Sequence, residues 1–160
     1  MRRDTPEGGK AMAGIETTSR RLNYLLSETD AVYHELAAAL GLSDSVMMIL
    51  YALLDAGGSC SLQALSRGTG CCKQTVNSAL RRLEAEGLVQ LEAADGKRKR
   101  VFLTARGRAC AGQTVGRIIA MENEIYASWP EEDMERYLAL TERYLRALRE
   151  KAKALEEGRI

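Results

Sequence analysis

Proline is nearly missing from this 160-residue chain, which holds only Pro6 and Pro130. Aromatic residues make up 5%, with one Phe and one Trp, and the single histidine is His34. Scarce Pro beside abundant Ala, Leu, Glu and Arg favours a mostly helical chain. Long apolar runs are missing too. The longest, Val46 to Leu54, is nine residues, well short of the ~20 that cross a bilayer. The opening MRRDTPEGGKAMAGIE has charge but no apolar stretch of signal-peptide length. A cytoplasmic protein with no membrane partner is therefore expected. Cys60, Cys71, Cys72 and Cys110 form no CxxC or CxxxC pair. That spacing argues against a zinc site, and a reducing compartment argues against a disulfide framework. There is no GxSxG, HExxH or phosphate loop, and one His cannot serve both a triad and a metal. The expectation is a protein that is not an enzyme and needs no cofactor or metal.

Charge is plentiful but almost balanced: 23 Lys+Arg against 22 Asp+Glu, a formal +1. Its distribution is uneven. Residues 22–59 hold no Lys or Arg and five acids, whereas residues 60–108 hold ten basic and four acidic groups. A basic segment flanked by neutral or acidic ones points to a polyanionic partner that the total hides.

Periodicity gives the elements. Residues 1–14, with Pro6 and three glycines, read as a flexible tail. A helix over 15–40 carries Leu22, Leu25, Leu26, Thr29, Tyr33, Leu36 and Leu40 at three- and four-residue steps. Ser43 or Asp44 caps a second helix with Val46, Met47, Ile49, Leu50, Leu53 and Leu54, ended by Gly57-Gly58. Ser61 opens a short third helix that stops at Gly68. A fourth runs over 73–86 and closes on Gly87. Val89 and Leu91, then Val101 and Leu103, alternate with polar neighbours around Asp95-Gly96, which signals a β-hairpin. Thr104 caps a helix to about residue 128. Trp129-Pro130 breaks it, and Pro130 with Glu131, Glu132 and Asp133 starts a last helix. Its stripe of Met134, Tyr137, Leu138, Thr141, Leu145, Leu148, Ala152 and Leu155 nears a seven-residue repeat.

This order gives a mainly α fold with a small antiparallel β-hairpin: a winged helix-turn-helix lobe over 43–108, flanked by helices at 15–40 and 109–160. On the 73–86 helix, Val76, Ala79, Leu80 and Leu83 fall on one side. Lys73, Gln74, Asn77, Ser78 and Arg81 fall on the other, with Arg82 at its edge. Asn and Gln bond adenine bidentately, and Lys or Arg reaches guanine or phosphate. The hairpin tip carries Lys97, Arg98, Lys99 and Arg100 in succession, a self-repelling quartet without an anionic partner. Laid along a duplex, such a wing meets phosphates, and a long cation enters a narrow minor groove. Arg98, at the tip, is the first choice for that insertion.

These residues resemble the MarR family of bacterial transcription regulators. SLQALSRGTGCCKQTVNSALRRLEAEGLVQLE followed by DGKRKRVFLTARGR carries the resemblance, and the element order agrees from about residue 15 to 160. The resemblance implies an obligate homodimer on a pseudo-palindromic duplex operator, and repression relieved by a small anionic or phenolic effector. By position, Lys73, Gln74, Thr75, Asn77 and Ser78 match the family's recognition-helix contacts. Lys97 and Arg98 match the wing, and Asp95 the aspartate that braces a basic residue. Two positions depart from the pattern: Cys72 stands where Ser often caps the helix, and Lys97 where Arg is usual, and Lys lacks Arg's bidentate fork.

The residues themselves support a dimer, because apolar stripes on the first and last helices flank the lobe rather than complete it. Tyr24, Tyr33, His34, Met47, Met48 and Tyr51 are candidates to line an effector cavity, since Met-rich walls adapt to varied ligands. Cys71 and Cys72, at the start of the recognition helix beside Lys73, are candidates for thiol-based redox control. The alternative to DNA binding is a winged-helix module whose basic wing meets an acidic protein.

Overall fold

The structure, a computed structural model, describes residues 7–93 and 99–159. The chain divides into two compact units, Met1–Val115 and Gly116–Ile160.

The first unit opens with α1 (Glu7–Ala39) and α2 (Asp44–Asp55). The helix begins at Glu7, eight residues before the expected start, so residues 7–14 are helical rather than part of a tail. Lys10, Ala11, Met12 and Ala13 are good helix formers. Once a helix is nucleated, extending it through Gly14 and the Gly8-Gly9 pair, at about 1 kcal/mol per glycine, is feasible. Ser43 caps α2 by accepting from the Val46 amide at 3.4 Å. Val46, Met47, Ile49, Leu50 and Leu53 of α2 are buried. Leu50 and Leu53 are completely enclosed. Each such side chain contributes roughly 1.5–3 kcal/mol by leaving water.

β1 (Ser59–Ser61) follows, then α3 (Leu62–Thr69) and α4 (Lys73–Ala85), then β2 (Val89–Ala93) and β3 (Lys99–Leu103). The sheet has three strands in the order β1-β3-β2, all antiparallel, where sequence patterning gave two. Gly57 and Gly58 have φ of 76° and 102° and turn the chain so that Ser59–Ser61 lies along β3. A three-residue strand is too short to show alternation, which is why it escaped the sequence. α3 runs past Gly68 to Thr69, because Gly70, at φ 62°, is the left-handed residue.

α4 ends on Gly87 at φ 69°. The Gly87 amide donates to the Glu84 carbonyl and the Leu88 amide to the Leu83 carbonyl, both at 2.9 Å, which satisfies the last turn. Val76, Ala79, Leu80 and Leu83 are buried on the face expected from their spacing. They share the core with Leu65 of α3, Val89 of β2, and Val101 and Leu103 of β3.

α5 (Ala105–Gln113) and α6 (Val115–Ala127) replace the single helix expected from Thr104 to residue 128. The break is Thr114, at φ −112° and ψ −91°. Its hydroxyl donates to the Cys110 carbonyl at 2.7 Å, a local bond that competes with helix continuation. The division between the two units falls just after this break, between Val115 and Gly116.

The second unit comprises most of α6 and α7 (Glu131–Glu156). Trp129 makes edge-to-face contacts with Tyr126 and Tyr137, at centroid separations of 5.8 and 5.6 Å. Pro130 stands just before the first turn of α7, and Glu131, Glu132 and Asp133 lie within it. No residue of α7 is buried. Among the described residues, no single helix is long and apolar enough to cross a membrane.

Candidate nucleic-acid interface

The candidate interface is built on α4. Its buried face anchors it, so Lys73, Gln74, Thr75, Ser78, Arg81 and Arg82 are exposed and Asn77 is half-buried. Beside it a groove of about 810 Å³ is lined by Ser61, Leu62, Gln63, Ser66, Lys73, Asn77 and Lys99. A smaller hollow of about 240 Å³ adds Arg81, Glu84 and Leu91 to Asn77 and Lys99. Three elements thus converge: the start of α3, the outer side of α4 and the first residue of β3. Asn77 sits between the cations Lys73, Arg81 and Lys99. Gln63 and Ser66 were not singled out from sequence. The signal for them was their place one helix upstream of a recognition helix, where the first helix crosses the backbone.

Other candidates are committed elsewhere. The Arg82 Nε donates to the Glu86 carboxylate at 2.9 Å, an exposed pair four residues apart. Arg100 donates from Nη2 to Ser59 Oγ at 3.0 Å and lies 5.6 Å over the Phe102 ring. Asp95, Lys97 and Arg98 lie outside the described residues.

The two cysteines before α4 differ. Cys72 is exposed and holds the cap position, yet its side chain makes no cap bond to the helix backbone. Its Sγ sits 3.1 Å from Thr75 Oγ1 instead. That hydrogen bond is the main cause that lowers the Cys72 thiol pKa. The hydroxyl of Thr75 therefore serves the thiol, and it is this bond rather than Lys73 that favours thiolate. Cys71 is half-buried and points its Sγ toward Met48 Sδ at 3.8 Å.

The six effector-cavity candidates lie on α1 and α2. Tyr24 and His34 are exposed, Tyr33 and Tyr51 half-buried, Met48 partly exposed, and Met47 packed into the core. His34 Nδ1 lies 2.9 Å from the Asp44 carboxylate, tying the end of α1 to the start of α2. Among the described residues, no three His, Cys, Asp or Glu gather to hold a metal.

Residues 40–100 match the model of the MarR family. A MarR-family transcriptional regulator from Silicibacter pomeroyi is 26% identical, with a TM-score of 0.65 over 80% of this chain and 87% of that one. The winged-helix lobe belongs to the MarR family. Two further similar structures show the shared fold. MepR of S. aureus, solved with DNA, is 19% identical, with a TM-score of 0.62 over 81% of this chain and 96% of that one. Bordetella bronchiseptica BpsR, whose DNA binding is regulated by 6-hydroxynicotinic acid, is 20% identical, with a TM-score of 0.58 over 78% of this chain and 98% of that one. No curated protein matches the chain by sequence.

In this MarR-family lobe the LTARGR segment proves to be structural. Thr104 Oγ1 donates to the Gly87 carbonyl at 2.7 Å and accepts from the Gly107 amide at 2.9 Å, capping α5 and binding it to the end of α4. A Cβ on Gly107 would run into the Leu88 carbonyl oxygen, so only glycine lets α5 approach so closely. Arg108 donates to the Gly57 carbonyl at 3.1 Å and holds the turn that launches β1.

Proposed function

We propose that the chain is a homodimeric transcription regulator that binds a pseudo-palindromic duplex operator and represses transcription from it. In this reading the exposed side of α4 enters the major groove, and the basic segment 95–100 lies along the adjacent backbone. One observation carries it: Lys73 and Asn77 of α4 and Lys99 of β3 line the same groove. Donors suited to base edges and cations suited to phosphate then face one ligand. The similarity to MepR of S. aureus, solved in complex with DNA, supports this reading.

Dimerisation follows from the helices outside the core. Leu22, Leu25 and Leu26 of α1 are exposed, as are Leu138, Leu145 and Leu148 of α7. Apolar stripes of this kind are covered by a second copy. A dimer presents the basic segment twice to one duplex.

A small anionic or phenolic effector releases the operator, with Tyr24, Tyr33, His34, Met47, Met48 and Tyr51 as its candidate contacts. The regulated DNA binding of the similar BpsR supports an effector of that class. A gel-shift on the DNA upstream of the chain's own coding sequence tests the main reading. Retardation at low salt that weakens as salt rises is expected. No retardation by a confirmed dimer would favour the protein-contact module.

A further inference from the structure

The two described cations of the wing, Lys99 and Arg100, do not face one way. Successive side chains on a strand point to opposite sides of the sheet. Val101 and Leu103 of β3 are buried against the helices. Lys99 shares their side and lines the groove with Lys73 and Asn77. Arg100 lies on the other side. There it donates to Ser59 of β1 across the sheet and covers the Phe102 ring, with Glu92 as its cross-strand neighbour on β2.

We propose that Arg100 is a positioning residue, not a DNA contact: it ties the stem of the wing to β1, while Lys99 is the strand cation that meets phosphate. This rests on the DNA-binding reading above. β1 is held at its start by the Arg108 bond to Gly57. It continues directly into α3, whose first residues line the interface groove. Fastening β3 to Ser59 therefore fixes the wing stem relative to both helices of the helix-turn-helix. The planar guanidinium suits the task, because it stacks on a ring while directing one N–H at a hydroxyl. A lysine in its place keeps the charge and loses that geometry.

The test is the salt dependence of binding, measured by fluorescence anisotropy on two duplexes, the chain's own upstream DNA and one of random sequence. Wild type is compared with Arg100→Ala, Arg100→Lys, Ser59→Ala and Lys99→Ala, each checked by circular dichroism and thermal melting. A phosphate contact contributes about 0.9 to the slope of log K against log salt. Lys99→Ala is expected to reduce the slope by about that amount. Arg100→Ala and Arg100→Lys are both expected to lose about three- to tenfold in affinity with the wild-type slope, as loss of a charge-assisted bond and a ring contact implies. Ser59→Ala, which carries no charge to lose, should reproduce most of that loss.

Wild-type affinity in Arg100→Lys, or a slope reduced by about one phosphate in Arg100→Ala, would overturn the assignment and leave the DNA-binding reading intact. Wild-type affinity in Ser59→Ala would overturn it as well, and this variant decides the matter if Arg100→Ala does not fold. Wild-type protein that binds neither duplex fails the DNA-binding reading itself.

Discussion

At the scale of single residues, position in the lobe separates side chains that sequence treats alike. Asn77 stands among three cations at the meeting point of both hollows, so it is the residue best placed to read a base edge. Asn77→Ala is expected to cost about 1–3 kcal/mol on the operator and to flatten discrimination between operator and random duplex. Competition binding with both duplexes measures it. The cysteines separate in the same way. Thr75 holds the exposed Cys72 thiol below the ordinary range, whereas burial raises that of Cys60, only partly offset by Arg100. Thiolate is the reactive form, so Cys72 keeps its reactivity to a lower pH and Cys60 gains it only at a higher one. Iodoacetamide labelling near neutral pH, followed by peptide mass spectrometry, is expected to mark Cys72 well before Cys60. Thr75→Val should slow Cys72 labelling, and unchanged labelling would disconnect the two side chains.

At the scale of elements, α5 is the part whose packing leaves least room. Gly107 faces the Leu88 backbone, and backbone cannot yield as the end of a flexible side chain can. Gly107→Ala is therefore expected to destabilise the lobe by about 2–4 kcal/mol, read as a fall in Tm. Gly112→Ala, on the same helix with open space around it, should be neutral or stabilising. Legibility from sequence follows the length of each signal. The buried face of α4 and its Gly87 closure could be read directly, because a helix of 13 residues shows its period several times over. Strand β1 could not, since three residues show no period and its pairing depends on two left-handed glycines upstream. The break at Thr114 was hidden because one hydroxyl bond to the preceding turn leaves the apolar pattern on either side intact. The groove shows the same limit: α4 supplied Lys73 and Asn77 by helical spacing, but Gln63 and Ser66 enter it only through the packing of α3 beside α4.

At the scale of the whole molecule, the near-neutral charge total conceals the property that matters, a basic 60–108 segment next to an acidic 22–59 one. Folding places three of those cations, Lys73, Arg81 and Lys99, around two hollows that share Asn77. The exposed leucines of α1 and α7 set a second expectation. Sedimentation velocity should give twice the chain mass, and Leu138→Glu with Leu145→Glu should shift it toward the monomer, since a buried charge at an interface is costly. Loss of the dimer should weaken operator binding steeply, because two half-sites are then no longer bound together.

Binding of duplex DNA through phosphate and base contacts must show in the affinity of the dimer for its own upstream DNA, measured across a range of salt concentrations. Log K is expected to fall linearly with log salt, with a slope reporting several phosphate contacts, and random duplex to bind more weakly with a similar salt dependence. Binding that ignores salt, or no binding at low salt by a dimer of verified mass, would contradict DNA binding of this kind.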